Sequence, residues 1–157
     1  MTSPELPAWP PSDGDYRRSE VTAVVGRCDA LWERAAGDIL RWKVKTASGF
    51  SVDSTAPMSA GDRVLVTVRA LGMTVVEPVE VVSVVREPDR VGFSYRTLPG
   101  HPVSGEEAFV VHRHSGQVIL TIRSLTRAAP QQPWRALYPL LRVAQLVVRR
   151  RYLRALR

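Results

Sequence analysis

The sequence predicts an α+β fold: a curved antiparallel sheet of about six strands packed on one long C-terminal helix. Three observations predict it. Segments that alternate apolar and polar residues follow one another from residue 63 to 127, parted only by short breakers. Connections that short suit sequential antiparallel pairing. The chain then carries an amphipathic helical pattern from about Trp134, the one element long enough to cover a half-apolar sheet.

Taken in order, residues 1–15 are rich in Pro, Ser and acid and read as a poorly ordered arm. Tyr16–Val25 alternates as a first strand, with Val21, Ala23 and Val25 on one face, and Gly26 breaks it. Asp29–Leu40 has helical spacing, with Leu31, Ala35, Ile39 and Trp32 toward one side. Trp42–Thr46 reads as a short strand and residues 47–61 as a turn-rich connection. Strands follow at Arg63–Ala70, Val75–Glu87, Arg90–Leu98, Glu106–His114 and Gln117–Arg127. The breakers are Leu71-Gly-Met73, Glu87-Pro-Asp89, a Pro/Gly turn after Leu98, and Ser115-Gly116. After a linker at Ala128–Pro133, the last helix presents Leu137, Leu141, Ala144, Val148 and Ala155 as its apolar stripe. Pro139 can kink it, and Arg142, Arg149 and Arg150 fall away from the stripe's centre. Residues 16–157 thus read as a single domain in which the sheet grips the helix and leaves a cavity between them.

Composition sets the class. A chain of 157 residues, 45% apolar and 24% charged, has the make-up of an ordinary globular protein and buries roughly 70% of its unfolded surface. The single cysteine, Cys28, leaves no internal disulfide, makes a reducing cytoplasm the default and reads as a small buried hydrophobe. The first residues lack the basic and apolar regions of a secretory signal. The longest apolar run, Leu137–Val148, is too short to span a bilayer. A soluble cytoplasmic protein is expected. The net charge of +7 is uneven: residues 133–157 hold seven arginines and no acid, while the rest balances 15 bases against 15 acids. That is a basic helix on a neutral body.

The polar chemistry concentrates in the turn between the strands at 90–98 and 106–114, which holds His101, Ser104, Glu106 and Glu107. Alternation puts Phe93, Tyr95 and Thr97 on one strand face, and Ala108, Val110 and His112 on one face of the next. A histidine beside a carboxylate can do acid–base work near neutral pH, so His101, Glu106 and Glu107 are the catalytic candidates. Adjacent strand residues point oppositely, so Glu106 and Glu107 cannot both line one pocket. The structural alternative has Ser104 and one glutamate bonding the turn's amides, with His101 simply exposed. Phe93, Tyr95, Trp32 and Trp42 are core aromatics or the walls of an apolar pocket. His112 and His114 share a face, but no Cys or acid completes a metal site. Phosphate loops, nucleophile elbows and Cys/His pairs are missing. No metal or cofactor is expected.

The run Arg90-Val-Gly-Phe-Ser-Tyr-Arg-Thr-Leu-Pro-Gly-His-Pro-Val-Ser-Gly-Glu-Glu-Ala-Phe-Val-Val111 resembles the signature of the domain-of-unknown-function family numbered nineteen-ninety. Asp38-Ile-Leu-Arg-Trp42, Arg142-Val-Ala-Gln145 and Arg150-Arg-Tyr152-Leu-Arg-Ala-Leu156 are similar to it as well, so the likeness spans about residues 16–157. Arg96 departs from the pattern, standing where a small residue is expected. The family has no assigned activity. What the resemblance implies is the helix-grip superfamily of START and pollen-allergen-like proteins, which holds both binders and enzymes.

The leading expectation is a binding domain for a small, largely apolar ligand between sheet and terminal helix, with Phe93, Tyr95, Arg96 and His101 as contacts. The second is an enzyme of the same shape using His101 with Glu106 or Glu107. The third is a peripheral module meeting anionic lipid or nucleic acid through Arg149, Arg150, Arg151, Arg154 and Arg157. Specific nucleic-acid recognition is not expected, because no groove-reading motif accompanies the arginines.

Overall fold

In the computed structural model the alternating segments become strands β1 (Arg17–Gly26), β2 (Phe50–Val52), β3 (Arg63–Ala70), β4 (Met73–Glu87), β5 (Arg90–Thr97), β6 (Val103–His114) and β7 (Gln117–Ala128). Helices are α1 (Asp29–Ile39), α2 (Lys43–Thr46) and α3 (Trp134–Tyr152). The structure describes residues 1–11, 14–70 and 72–157. Residues 12–13 of the expected arm and Leu71 of the expected breaker lie outside the described residues.

All seven strands pair antiparallel in one sheet, in the order β1-β7-β6-β5-β4-β3-β2. Strands β2 to β7 are joined to their sequence neighbours, as short breakers dictate. Strand β1 pairs with β7, Arg17 opposite Thr126. The sheet has seven strands against the expected six or so, and its short strand is Phe50–Val52, inside the connection read as turns, which pairs with Val66–Val68 of β3 in place of the expected strand at 42–46. The register shifts between Val81 and Ser83 against β5, a bulge of the kind that bends a sheet. The sheet curves around its inner face.

That inner face carries the core. Trp32, Ile39 and Trp42 pack with Val79, Val81, Phe93, Phe109, Leu120, Ile122 and Tyr152. Ring centroids lie 4.9 Å apart for Trp42–Phe93 and 5.2 Å for Phe109–Tyr152, both edge-on, the arrangement aromatic quadrupoles favour. Gly92 is required here: a Cβ would sit 2.4 Å from the Phe109 carbonyl oxygen.

Several expectations change. Residues 42–46 form no strand. Trp42 adopts a left-handed conformation (φ 63°) and starts α2 instead, which drives its ring into the core (1% exposed). Cys28 is exposed, because it precedes the first turn of α1 rather than lying on its buried face. In α1 the buried side is Trp32, Ala35 and Ile39, with Leu31 only half-buried.

Residues 1–11, expected as a loose arm, lie along the sheet's outer face. Their prolines remove donors, and the Leu6 amide closes a turn onto the Ser3 carbonyl at 3.2 Å, leaving several carbonyls to accept from side chains. The Arg123 guanidinium donates to the carbonyls of Ser3 (2.6 Å), Leu6 (2.9 Å) and Pro7 (3.0 Å), and to Glu20 (2.6 Å). Arg90 donates to Pro4 and Leu6. Thr2 is fully buried, donating its amide to Glu106 at 2.7 Å. The Arg18 guanidinium stacks 3.7 Å from the Trp9 ring centroid. Beneath this strap, Ala108 and Val110 are fully buried.

Candidate functional site

Between the sheet's inner face and α3 lies a cavity of about 210 Å³. Its apolar walls include Val68, Val75, Leu141 and Val148. Helix α3 covers it loosely. Leu137, Leu141 and Val148 of the expected stripe are half-buried and Ala144 is exposed. Arg149, expected to point away, turns inward and donates to the Ser124 hydroxyl at 2.7 Å.

One end of the cavity is polar. Strand β5 presents Tyr95 and Thr97, and β6 presents Glu107 directly opposite Tyr95. From α2 comes Lys45, 3% exposed, with its Nζ 3.4 Å from Glu107 Oε2. The Tyr95 hydroxyl donates to the same carboxylate oxygen. Lys45 Nζ also sits 4.9 to 5.7 Å from the ring centroids of Phe50, Tyr95, Phe109 and Tyr152, an aromatic cage that holds a cation in a dry setting. Burial, then the Glu107 charge, pushes the Tyr95 phenol well above its ordinary range, so it stays a donor.

His101 borders the same end, but it is neither exposed nor beside Glu106 or Glu107. It is 6% exposed, and its Nδ1 accepts the Val103 amide at 3.1 Å. The turn's amide is thus bonded by the histidine itself, and the expected role of Ser104 is not seen. An accepting Nδ1 carries no proton, so the hydrogen lies on Nε2, 3.8 Å from Glu77 Oε2. Burial, then the nearby Lys45 charge, lowers the imidazole to about 3. His101 is therefore neutral through the physiological range. Glu77 is pushed above the usual carboxylate range by burial, against the pull of Lys45.

The remaining candidates separate by strand parity. Phe93 lies deeper in the core, touching Trp42 and Phe109 rather than the cavity. Arg96 points outward between Tyr95 and Thr97, and bonds Glu80 Oε1 at 2.7 Å with its side chain 58% exposed. It cannot touch a ligand in the cavity. The Glu106 carboxylate is taken by the Thr2 amide and hydroxyl on the outer face, although the residue also borders the cavity. Trp32 and Trp42 are core.

Sequence reasoning missed Lys45, Glu77 and Arg149. Glu77 had a signal: it occupies the inward row of Val75, Val79 and Val81, where an apolar residue belongs. Lys45 had none, because its burial depends on the left-handed turn at Trp42.

A single curved antiparallel sheet closed by a long helix over a cavity is a helix-grip protein. The chain belongs to the family described as domain of unknown function (DUF1990), which it matches over residues 3–155. It is 35% identical to a UPF0548 protein of Deinococcus radiodurans, over 90% of this chain and 78% of that one. Among solved structures it is similar to a hypothetical protein from Helicobacter pylori (TM-score 0.61, 13% identity, 90% of this chain and 85% of the other). It is also similar to the Zhui aromatase/cyclase from Streptomyces sp. R1128 (TM-score 0.59, 19% identity, 90% and 91%). A third likeness is to Ara h 8.0201 (TM-score 0.52, 14% identity, 90% and 98%). At these identities the likeness is one of fold. No helix among the described residues is long and apolar enough to cross a membrane.

Proposed function

We propose that this protein binds a small, largely apolar molecule in the cavity under α3, with the molecule's polar end placed against Lys45, Glu77, Tyr95, His101 and Glu107. The observation that carries the reading is the buried Lys45–Glu107–Tyr95 cluster at one end of an otherwise apolar cavity. Burying a charged pair costs more than packing apolar groups of the same size, so a fold needing only stability gains nothing from it. A pre-built set of one cation, two carboxyl groups, a phenol and a neutral imidazole suits a ligand bearing hydroxyl or carbonyl groups. His101, held neutral, serves as a hydrogen-bond donor through Nε2 rather than as a proton shuttle.

The test is native mass spectrometry of protein purified from its own host, followed by denaturing extraction of whatever is retained. The expected result is a stoichiometric small molecule, lost in Val148→Trp, which fills the cavity, and reduced in Tyr95→Phe. Retention of that molecule by Val148→Trp at wild-type occupancy would place it elsewhere and sink the reading.

One observation favours an enzymatic second reading. Glu77 and Glu107 share a site but differ in environment, the first raised by burial and the second in contact with Lys45, and two carboxyl groups in unlike settings can take different roles. The similar aromatase/cyclase fold is used by an enzyme. On this reading Glu77→Gln abolishes turnover of the extracted molecule while leaving its affinity in place.

A further inference from the structure

The outer face of α3 is apolar as well as basic. Leu140, Val143, Leu146 and Val147 are 68, 61, 54 and 47% exposed. Leu140, Val143 and Val147 recur at the three- and four-residue spacings that align side chains on a helix, and Arg150 continues the row. Arg135, Arg142, Arg151 and Arg154 are exposed around it. No acid occurs from Pro133 onward. The core does not claim these side chains, since the opposite side of the same helix faces the cavity.

We propose that this face seats α3 on the surface of an anionic lipid bilayer. The four apolar side chains enter the headgroup–acyl boundary while the arginines meet lipid phosphates. Charge decides against the other occupants. A second copy docked face to face would bring two arginine sets together with no acid between them. A nucleic acid would engage the arginines but leave the apolar row with nothing to bury against. The inference does not depend on what fills the cavity.

The experiment is co-sedimentation of the full chain with sucrose-loaded vesicles, of phosphatidylcholine alone or of phosphatidylcholine with phosphatidylglycerol. The chain is expected to pellet with the anionic vesicles only, less so as salt rises. Val143→Asp with Leu146→Asp lowers the partition coefficient at least about tenfold, and Arg150→Glu with Arg154→Glu does the same. Val143→Ala with Leu146→Ala, which preserves helix propensity, gives a smaller loss in the same direction. Far-ultraviolet circular dichroism confirms that each variant is folded. Four results overturn the proposal: no pelleting at low salt, pelleting unaffected by both apolar pairs, a dimer in sedimentation velocity that the apolar pairs dissociate, or retention of a nucleic acid duplex in place of vesicles.

Discussion

Neutral His101 makes a quantitative demand on the stability of the fold in acid. Its imidazole falls from the ordinary 6.5 to about 3 in the folded chain, so the unfolded chain takes up the proton first. Stability is intact above pH 6.5, declines as pH falls below it, and stops declining near pH 3. The full displacement corresponds to about 5 kcal/mol, of which about 2 kcal/mol falls between pH 7 and pH 5. Glu77 acts oppositely, because a carboxyl raised in the folded state gains stability as it protonates on acidification. The comparison must therefore be between two chains that both keep Glu77. His101→Asn is the chosen perturbation, since the amide oxygen takes the place of Nδ1 as acceptor for the Val103 amide and cannot be protonated. Urea unfolding of both chains at pH 7 and pH 5 gives the answer. The wild type is expected to lose about 2 kcal/mol more than the variant over that interval. Equal losses would refute the burial argument, and with it the assignment of Nε2–H as a fixed donor.

Three further outcomes follow from the geometry. Lys45→Met keeps the packing inside the four rings but strands Glu107, and should cost about 3 kcal/mol in urea unfolding; adding Glu107→Gln should recover part of that. Gly105→Ala drives a Cβ to 1.8 Å from the Leu125 carbonyl oxygen. It should cost about 3 kcal/mol or unfold the chain, whereas Gly116→Ala, with open space around it, should cost far less despite its positive φ. Arg123→Ala leaves the carbonyls of Ser3, Leu6 and Pro7 without their shared donor. Amide exchange at residues 2–9 should rise steeply while the β5–β6 amides stay protected, with a stability loss of about 3 kcal/mol.

Much of the sheet was legible because strand parity is local. Phe93 and Tyr95 sharing one face follows from two-residue alternation alone, and short breakers gave the pairing of β3 to β7. The same alternation argues against Arg96 as a cavity contact, an expectation that the structure overturns. The strap at residues 1–11 was not legible, since its order comes from Arg90 and Arg123 side chains more than eighty positions away. Composition describes a segment's own capacity to bury surface; it says nothing of distant donors. The candidate site was legible in half. Tyr95, His101 and Glu107 border the polar end, but the carboxyl group 3.8 Å from His101 is Glu77, brought across from β4, and buried Lys45 rides on a four-residue helix. Arg149 falls away from the centre of the helix's apolar stripe and so reads as outward, but a loosely covered cavity leaves room for it to turn in.

The sheet order also bears on how the chain is made. Strands β2 to β7 each find a partner next to them in sequence, so they can zip as successive hairpins with little loop-closure entropy. Strand β1 is synthesised first of the seven yet pairs with the last, Arg17 against Thr126. Throughout synthesis it is an apolar edge without a neighbour, and the strap ahead of it has no Arg123 to hold it. Closure of β1 onto β7 is the step with the longest sequence separation, and hence the slow one. Until then β1 has an unpaired row of backbone donors and acceptors, of the kind that invites pairing with another chain.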